Sequence, residues 1–140
     1  MKGDLKVIDS LNFLLSEELA AINQYMVHAE IAENWGYEKL GKRTQKLAVE
    51  EMKHAEKIAE RLWYLGGTPT TKPSAIEVGK SLKEFLELDT KAEVEAIEMY
   101  RQIIEMATKG KDVTTAFIFK EILEDEEEHH DLFTTMLEEV

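Results

Sequence analysis

Glu51 and His54 stand three residues apart within a stretch that has helical periodicity and contains neither glycine nor proline. Residues at this spacing are neighbours on one helix face, and Leu47, Ile58 and Leu62 make the rest of that face apolar. A carboxylate and an imidazole are costly to bury among apolar side chains without a partner. A metal ion is one such partner, and these ligands suit iron, manganese or zinc. Taken alone, the motif is more often a salt-bridged or solvated pair.

A second pair at the same spacing, Glu126 and His129, lies near the end of the chain. Phe119 belongs to its face, which is otherwise apolar. The overlapping pair Glu127 and His130 lies on a less apolar face of the helix. It remains the alternative pair of metal ligands on this segment. We expect Glu126 and His129 to point inward.

Two further glutamates, Glu18 and Glu93, each lie on the apolar face of a helical stretch of their own. Their neighbours Glu17 and Glu95 point elsewhere. Each half of the chain therefore carries one lone glutamate and one glutamate–histidine pair, and we find no other convincing repeat.

Hydrophobic periodicity predicts four helical segments, and glycine, proline and capping residues mark their ends. The segments run from about Asp4 to Asn34, from about Glu38 to Leu65, from about Ile76 or Ser81 to Lys109, and from about Asp112 to the end. Gly36 is a candidate left-handed cap, Gly66 and Gly67 stop the second segment, and Lys109-Gly110-Lys111 closes the third.

The six candidate ligands lie near the midpoints of four helices, each roughly 40–45 Å long. Packed side by side, these helices would bring all six groups to one level and face them inward. Short turns make two antiparallel hairpins, and the intervening segment of about 14 residues can reach roughly 45 Å. We therefore predict an all-α, ferritin-like four-helix bundle, with two antiparallel hairpins joined by one long crossover loop, as a single domain over residues 1–140. Four carboxylates and two imidazoles can hold two metal ions, preferably iron or manganese.

The composition excludes some classes of binding site and disfavours some classes of partner. The 140 residues include no cysteine, which excludes disulfides, thiolate metal sites and a rubredoxin-type iron centre. The net charge of −12 disfavours nucleic acids and anionic membranes and is compatible with attracting cations. No apolar run has the length of a membrane span, and the first residues lack the apolar core of a signal peptide. We expect a cytoplasmic protein with no nucleic-acid or membrane partner.

Four stretches together resemble bacterioferritin over nearly the whole chain. They are Glu17-Glu18-Leu19-Ala20-Ala21-Ile22-Asn23-Gln24-Tyr25, Asn34-Trp35-Gly36, Glu51-Met52-Lys53-His54-Ala55 and Glu121-Ile122-Leu123-Glu124-Asp125-Glu126-Glu127-Glu128-His129. The resemblance implies a homo-oligomer built from dimers, up to a 24-subunit cage. Such a cage takes up ferrous iron, oxidises it with dioxygen or peroxide at a site of two iron ions, and stores ferric mineral. The implied ligands are Glu18, Glu51, His54, Glu93, Glu126 and His129.

The resemblance also implies haem b shared between two subunits, with Met52 of each as axial ligand. Ala48, Ala55, Ala59 and Trp63 form a stripe beside Met52 that is small enough to admit a partner. A plain interface or flanking-core methionine is the alternative. Family members continue past the fourth helix into a short fifth one, which makes four-fold contacts, whereas this chain stops at Val140. Lys46 stands where those members carry an inner-surface histidine.

Tyr25 shares the face of Glu18, so it is a candidate catalytic residue that could hydrogen-bond a ligand carboxylate or supply an electron. A core tyrosine with a satisfied hydroxyl is the alternative, and Tyr100 has the same two interpretations. His28 lies off the level of the site, and we expect it at the surface or in an interface.

Three other classes of protein remain. One is a non-storage di-iron oxidase or peroxidase of rubrerythrin type, acting as a dimer. Another is a non-catalytic helical scaffold. The third is a DNA-coating mini-ferritin, which the negative charge disfavours.

Overall fold

The computed structural model describes residues 2–140, and within this range the only regular elements are four long helices, as predicted. They are α1 (Leu5–Asn34), α2 (Glu38–Leu65), α3 (Leu82–Lys109) and α4 (Val113–Glu138). Side-chain oxygens cap three of the N-termini: Asp4 accepts from the Lys6 amide, Ser81 from the Glu84 amide and Asp112 from the Thr115 amide. Each cap satisfies a backbone donor that has no partner inside the helix.

The third helix begins at the later of the two predicted positions. Ser81 has extended backbone angles, and its hydroxyl accepts from the Glu84 amide at 3.1 Å. Ile76 instead lies in the crossover, where the backbone amides of Glu77 and Gly79 bond to side chains of α1.

The predicted topology is present: two antiparallel hairpins joined by one long crossover. α1 packs on α2 and α3, and α4 packs on α3 and α2. The crossover, residues 66–81, lies along α1. The Asn12 carboxamide bonds Thr68 and Thr70, and the Ser74 amide bonds the Ser16 carbonyl at 3.0 Å. These bonds let the chain travel the length of the bundle without leaving backbone polar groups unpaired.

His28 is buried, which corrects the expectation that it lies at the surface or in an interface. It is only 1% exposed, because the crossover passes over it. The Gly79 amide donates to its Nε2 at 3.1 Å, so the ring proton is on Nδ1 and points to Asp89 at 2.8 Å. Phe85 stacks on the ring, with centroids 4.4 Å apart.

The apolar core is split into two layers. The larger layer includes Leu11, Ile58, Phe119 and Ile122, and the smaller includes Leu47, Leu86, Phe133 and Met136. Burial of each large apolar side chain contributes about 1.5–3 kcal/mol. A band of buried polar residues lies between the layers.

The three helix-ending turns differ in one respect. Gly36 and Gly66 adopt positive φ (93° and 88°), whereas Gly110 does not; Lys111 takes that conformation instead, with φ of 61°. A residue with a Cβ is strained in this region, which glycine enters freely.

Replacing Lys111 with glycine is predicted to raise the free energy of unfolding by about 0.5–1 kcal/mol, because relief of the strain exceeds the added entropy of the unfolded chain. Urea denaturation of the metal-free protein measures this. Lys111→Ala is the control, since it removes the charge but keeps the Cβ. Equal stabilities for the glycine and alanine variants would contradict the explanation.

Candidate metal centre

Six ionisable side chains from all four helices meet in the polar band between the two core layers, and each is at most 3% exposed. α1 supplies Glu18, α2 Glu51 and His54, α3 Glu93, and α4 Glu126 and His129. The three-residue spacing turns each glutamate–histidine pair toward the bundle axis. These are the six residues that the sequence predicts as metal ligands.

The six side chains form two overlapping groups, in each of which one ligand atom per residue lies within 4.8 Å of the others. The first group is Glu18, Glu51, His54 and Glu126, and the second is Glu51, Glu93, Glu126 and His129. Two residues, Glu51 and Glu126, belong to both groups. The arrangement therefore offers two cation positions that share a pair of carboxylates.

The histidines link the two hairpins. His54 Nδ1 lies 2.7 Å from Glu126 Oε1, and His129 Nδ1 lies 2.7 Å from Glu51 Oε1. The two rings are nearly parallel, with centroids 5.8 Å apart. Each imidazole thus directs one nitrogen at a shared carboxylate from the other hairpin.

The outer nitrogens of the two rings also have acidic partners. His54 Nε2 contacts Asp125 Oδ2 at 2.9 Å, and His129 Nε2 contacts Glu50 Oε2 at 2.5 Å. Outer carboxylates of this kind orient a ligating imidazole and increase its basicity. Sequence reasoning missed Glu50 and Asp125. The available signal was that each immediately precedes the glutamate of a glutamate–histidine pair.

The overlapping pair Glu127 and His130 is not part of the cluster. Glu127 is exposed and lies 3.6 Å from Arg101, and His130 is only partly buried. The helix turns Glu126 and His129 inward, as expected from the more apolar row to which they belong.

Two buried tyrosines border the site. The Tyr25 hydroxyl donates to Glu93 Oε1 at 2.6 Å, and its ring meets Phe133 edge-on. Tyr100 is fully buried beside Glu18, and its hydroxyl makes no hydrogen bond of good geometry. The predicted contact between Tyr25 and a candidate ligand carboxylate is therefore present in the structure.

Comparisons with known proteins agree with this arrangement. The model of the ferritin-like domain family matches residues 8–140. The bacterioferritin of Brucella melitensis is 39% identical over 139 residues, covering 99% of this chain and 86% of its own length. The bacterioferritin of Streptomyces coelicolor is 40% identical over 139 residues, covering 99% of this chain and 83% of its own length. The chain belongs to the bacterioferritin family.

Solved structures of family members superpose closely. Rhodobacter capsulatus bacterioferritin gives a TM-score of 0.95 at 38% identity, over 99% of this chain and 87% of the other. That structure has a metal-free dinuclear site and a haem iron in a crystallographic special position. Mycobacterium tuberculosis bacterioferritin gives a TM-score of 0.94 at 37% identity, over the same shares of the two chains. The predicted all-α, ferritin-like fold class is confirmed. No helix among residues 2–140 is long and apolar enough to cross a membrane.

Burial dominates the electrostatics of this bacterioferritin-family site. It raises the pKa of Glu18 above its usual value. It raises the pKa values of Glu51 and Glu126 well above their usual values, and neighbouring carboxylates add to this increase. Burial opposes ionisation of Glu93 too, but hydrogen bonding to His129 lowers its pKa overall. Burial alone would lower the pKa of His129, yet its contacts with Glu93 raise it to about 9.

The donor set fits a pair of divalent cations. Glu18 Oε2 and Glu93 Oε2 are buried without hydrogen-bond partners, and such atoms are costly unless a cation or donor satisfies them. Four carboxylates can offset the charge of two divalent ions, and oxygen with imidazole nitrogen suits iron, manganese or zinc.

A cavity of about 120 Å³ between α1 and α3 reaches the site. Glu18, Tyr25 and Glu126 line its inner part, and Glu17 and Glu95 belong to its wall as well. Ala20, Ala21, Ala92 and Ala96 also line the cavity, and their small side chains leave this space open. A small cation or a diatomic molecule has room to pass.

The metal-free chain is predicted to lose stability as the pH rises from about 5 to about 9. With pKa values above the unfolded value of 4.5, Glu51 and Glu126 hold protons in the folded state that the unfolded chain has already lost, and they release them as the pH rises. His129 contributes stability that is fully present below its unfolded pKa of 6.5 and is lost as the pH rises through about 9. Thermal unfolding in the presence of a chelator, at a series of pH values, measures the slope.

The variant Glu51→Gln should flatten this profile and stabilise the metal-free chain at pH 7, because it removes a buried carboxyl group whose pKa is raised well above its usual value. Glu56→Gln, on the exposed side of the same helix, is the matched control and should leave the slope unchanged. Metal-free stability that increases across this pH range would contradict the electrostatic description.

Proposed function

We propose that this chain is a ferroxidase, which oxidises ferrous iron at the centre between its four helices as the step that precedes iron storage. The observation that carries the proposal is the pair of buried carboxylates, Glu51 and Glu126, shared by two groups of candidate ligands. Two ferrous ions bound there would each supply one electron to dioxygen or peroxide. Iron storage is the function that the ferritin-like fold and the bacterioferritin relatives support.

The proposed role of each side chain follows from its position. Glu51 and Glu126 belong to both groups of candidate ligands, so they would help to hold both cations. Glu18 and His54 would complete one position, and Glu93 and His129 the other.

Several neighbours would keep these ligands in place. The Tyr25 hydroxyl holds one oxygen of Glu93 and leaves the other oxygen free to bind a cation. Asp125 and Glu50 fix the two imidazoles with Nδ1 inward, so little reorganisation is needed when cations arrive. The cavity between α1 and α3 provides a route for substrate ferrous iron and for the oxidant.

No observation on the described residues favours the alternative, a non-storage di-iron oxidase or peroxidase of rubrerythrin type. The family members that match this chain over nearly its whole length are bacterioferritins.

Glu51→Ala and His54→Ala are each predicted to slow the rapid oxidation of two ferrous ions per chain by more than about 100-fold. The loss should exceed the 10–100-fold cost of removing an outer partner of a ligand. Stopped-flow absorbance of the ferric product measures the rate, and circular dichroism checks that the helices remain. Glu56→Ala is the exposed control on the same helix. Wild-type kinetics in both site variants would defeat the assignment.

We also propose haem binding at an exposed face of α2, between two copies of the chain. Met52 is 52% exposed and Trp63 is 65% exposed, which favours an interface role for Met52 over a flanking-core role. Ala59 lies between them with a side chain small enough for close approach. A dimer joined at this face would be the building unit of a larger homo-oligomer, up to a cage of 24 copies.

Met52→Leu is predicted to abolish the Soret absorbance of haem-reconstituted protein without changing the ferrous oxidation rate, because leucine keeps the apolar surface but lacks the sulfur ligand. Met26→Leu is the matched control, since Met26 is similarly exposed on α1. Retention of the Soret band by the Met52 variant, or its loss in the Met26 variant, would contradict the assignment.

A further inference from the structure

The two hairpins carry equivalent functional residues at a constant separation. Each site residue of the second hairpin lies 75 positions after its counterpart in the first. The pairs are Glu18 and Glu93, Glu51 and Glu126, His54 and His129, Glu50 and Asp125, and Tyr25 and Tyr100. The last pair places a second tyrosine where the pseudo-symmetry of the site requires one.

The antiparallel packing of α1 and α3 places a candidate ligand carboxylate beside each tyrosine. Tyr25 on α1 reaches Glu93 on α3, and the same register brings Tyr100 on α3 beside Glu18 on α1. Both rings are buried, at 1% and 0% exposure. Each ring also has an aromatic neighbour: the centroid of Phe133 lies 5.1 Å from that of Tyr25, and the centroid of Phe119 lies 6.0 Å from that of Tyr100, although the 75-residue offset does not relate these two phenylalanines.

The two hydroxyls differ in how well they are satisfied. Tyr25 donates to Glu93 at 2.6 Å, whereas the Tyr100 hydroxyl and its neighbour Glu18 Oε2 are both buried without a well-aligned hydrogen bond. A buried, unsatisfied hydroxyl costs stability that phenylalanine would not. Packing alone therefore gives no reason to prefer tyrosine over phenylalanine at this position, and the polar neighbour of the hydroxyl is the candidate ligand Glu18.

We propose that Tyr100 is the second of two phenols that each donate one electron and one proton to the reaction at this centre. The inference rests on the proposed ferroxidase function. Reduction of dioxygen to two waters takes four electrons and four protons. Two ferrous ions supply two electrons as they become ferric, and two phenols supply the other two as they become neutral phenoxyl radicals.

The protons balance as well. Each phenol releases one proton, for which the nearest acceptors are Glu93 beside Tyr25 and Glu18 beside Tyr100, and solvent supplies the remaining two. Two further ferrous ions then reduce the radicals, and two protons restore the phenols. Two waters are thereby formed without release of hydrogen peroxide.

The test compares wild type with Tyr25→Phe, Tyr100→Phe and the double variant, each as the full chain loaded with two ferrous ions and mixed with dioxygen. Freeze-quenched samples are examined by electron paramagnetic resonance, and hydrogen peroxide is measured at the end of the reaction. Each single variant should give about half the wild-type tyrosyl radical. The double variant should give none, and should release one hydrogen peroxide for every two ferrous ions oxidised. Tyr37→Phe, at an exposed tyrosine in the turn between α1 and α2, should match wild type.

Cobalt(II) binding, followed by absorbance, provides a readout that does not depend on turnover. Tyr100→Phe should bind cobalt(II) with wild-type affinity and, without cobalt, should unfold at no lower a temperature than wild type. A wild-type radical yield in Tyr100→Phe would overturn the inference. A Tyr100→Phe variant with altered cobalt(II) affinity but unchanged radical yield and hydrogen peroxide release would overturn it as well. If wild type oxidises iron rapidly but forms no radical, this inference alone fails. If wild type neither binds cobalt nor oxidises iron, the proposed function fails.

Discussion

The structure depends on the burial of four carboxylates and two imidazoles at one level of a helical bundle. In a solvent-free interior such groups repel one another or remain without hydrogen-bond partners, and a fold selected only for stability would replace them with apolar residues. Here apolar layers lie on both sides of the polar band. These layers supply the stability that the band lacks, and they hold the four helices at a fixed separation.

The paired organisation of the chain follows from that constraint. A centre for two cations needs two equivalent sets of ligands, and two hairpins in pseudo-symmetric contact provide them. The equivalence extends to the ends of the helices, where Gly36 and Lys111 occupy matching positions with positive φ. It also gives each histidine an outer acidic partner. In addition, it places one tyrosine beside each of the two unshared carboxylates, Glu18 and Glu93. The crossover breaks the symmetry, because it covers α1 and buries His28 against Asp89 and Phe85.

The residues of the centre could be predicted because their signal is periodic and local. Helical spacing places Glu51 and His54 on one apolar face, and the same logic separates Glu126 and His129 from their exposed neighbours. The burial of His28 could not be predicted, since it depends on the path of a loop without periodicity. Glu50 and Asp125 were missed because their partners lie on another helix. Tyr100 repeats Tyr25 at the 75-residue spacing, but only the register of α1 against α3 shows that it lies beside Glu18.

The most direct test of the central claim is the anomalous diffraction of crystals soaked in ferrous iron without oxygen. Two peaks inside the bundle are predicted for each chain. One should be bounded by Glu18, Glu51, His54 and Glu126, and the other by Glu51, Glu93, Glu126 and His129. Iron found only at the protein surface, or no peak within reach of Glu51 and Glu126, would contradict the account.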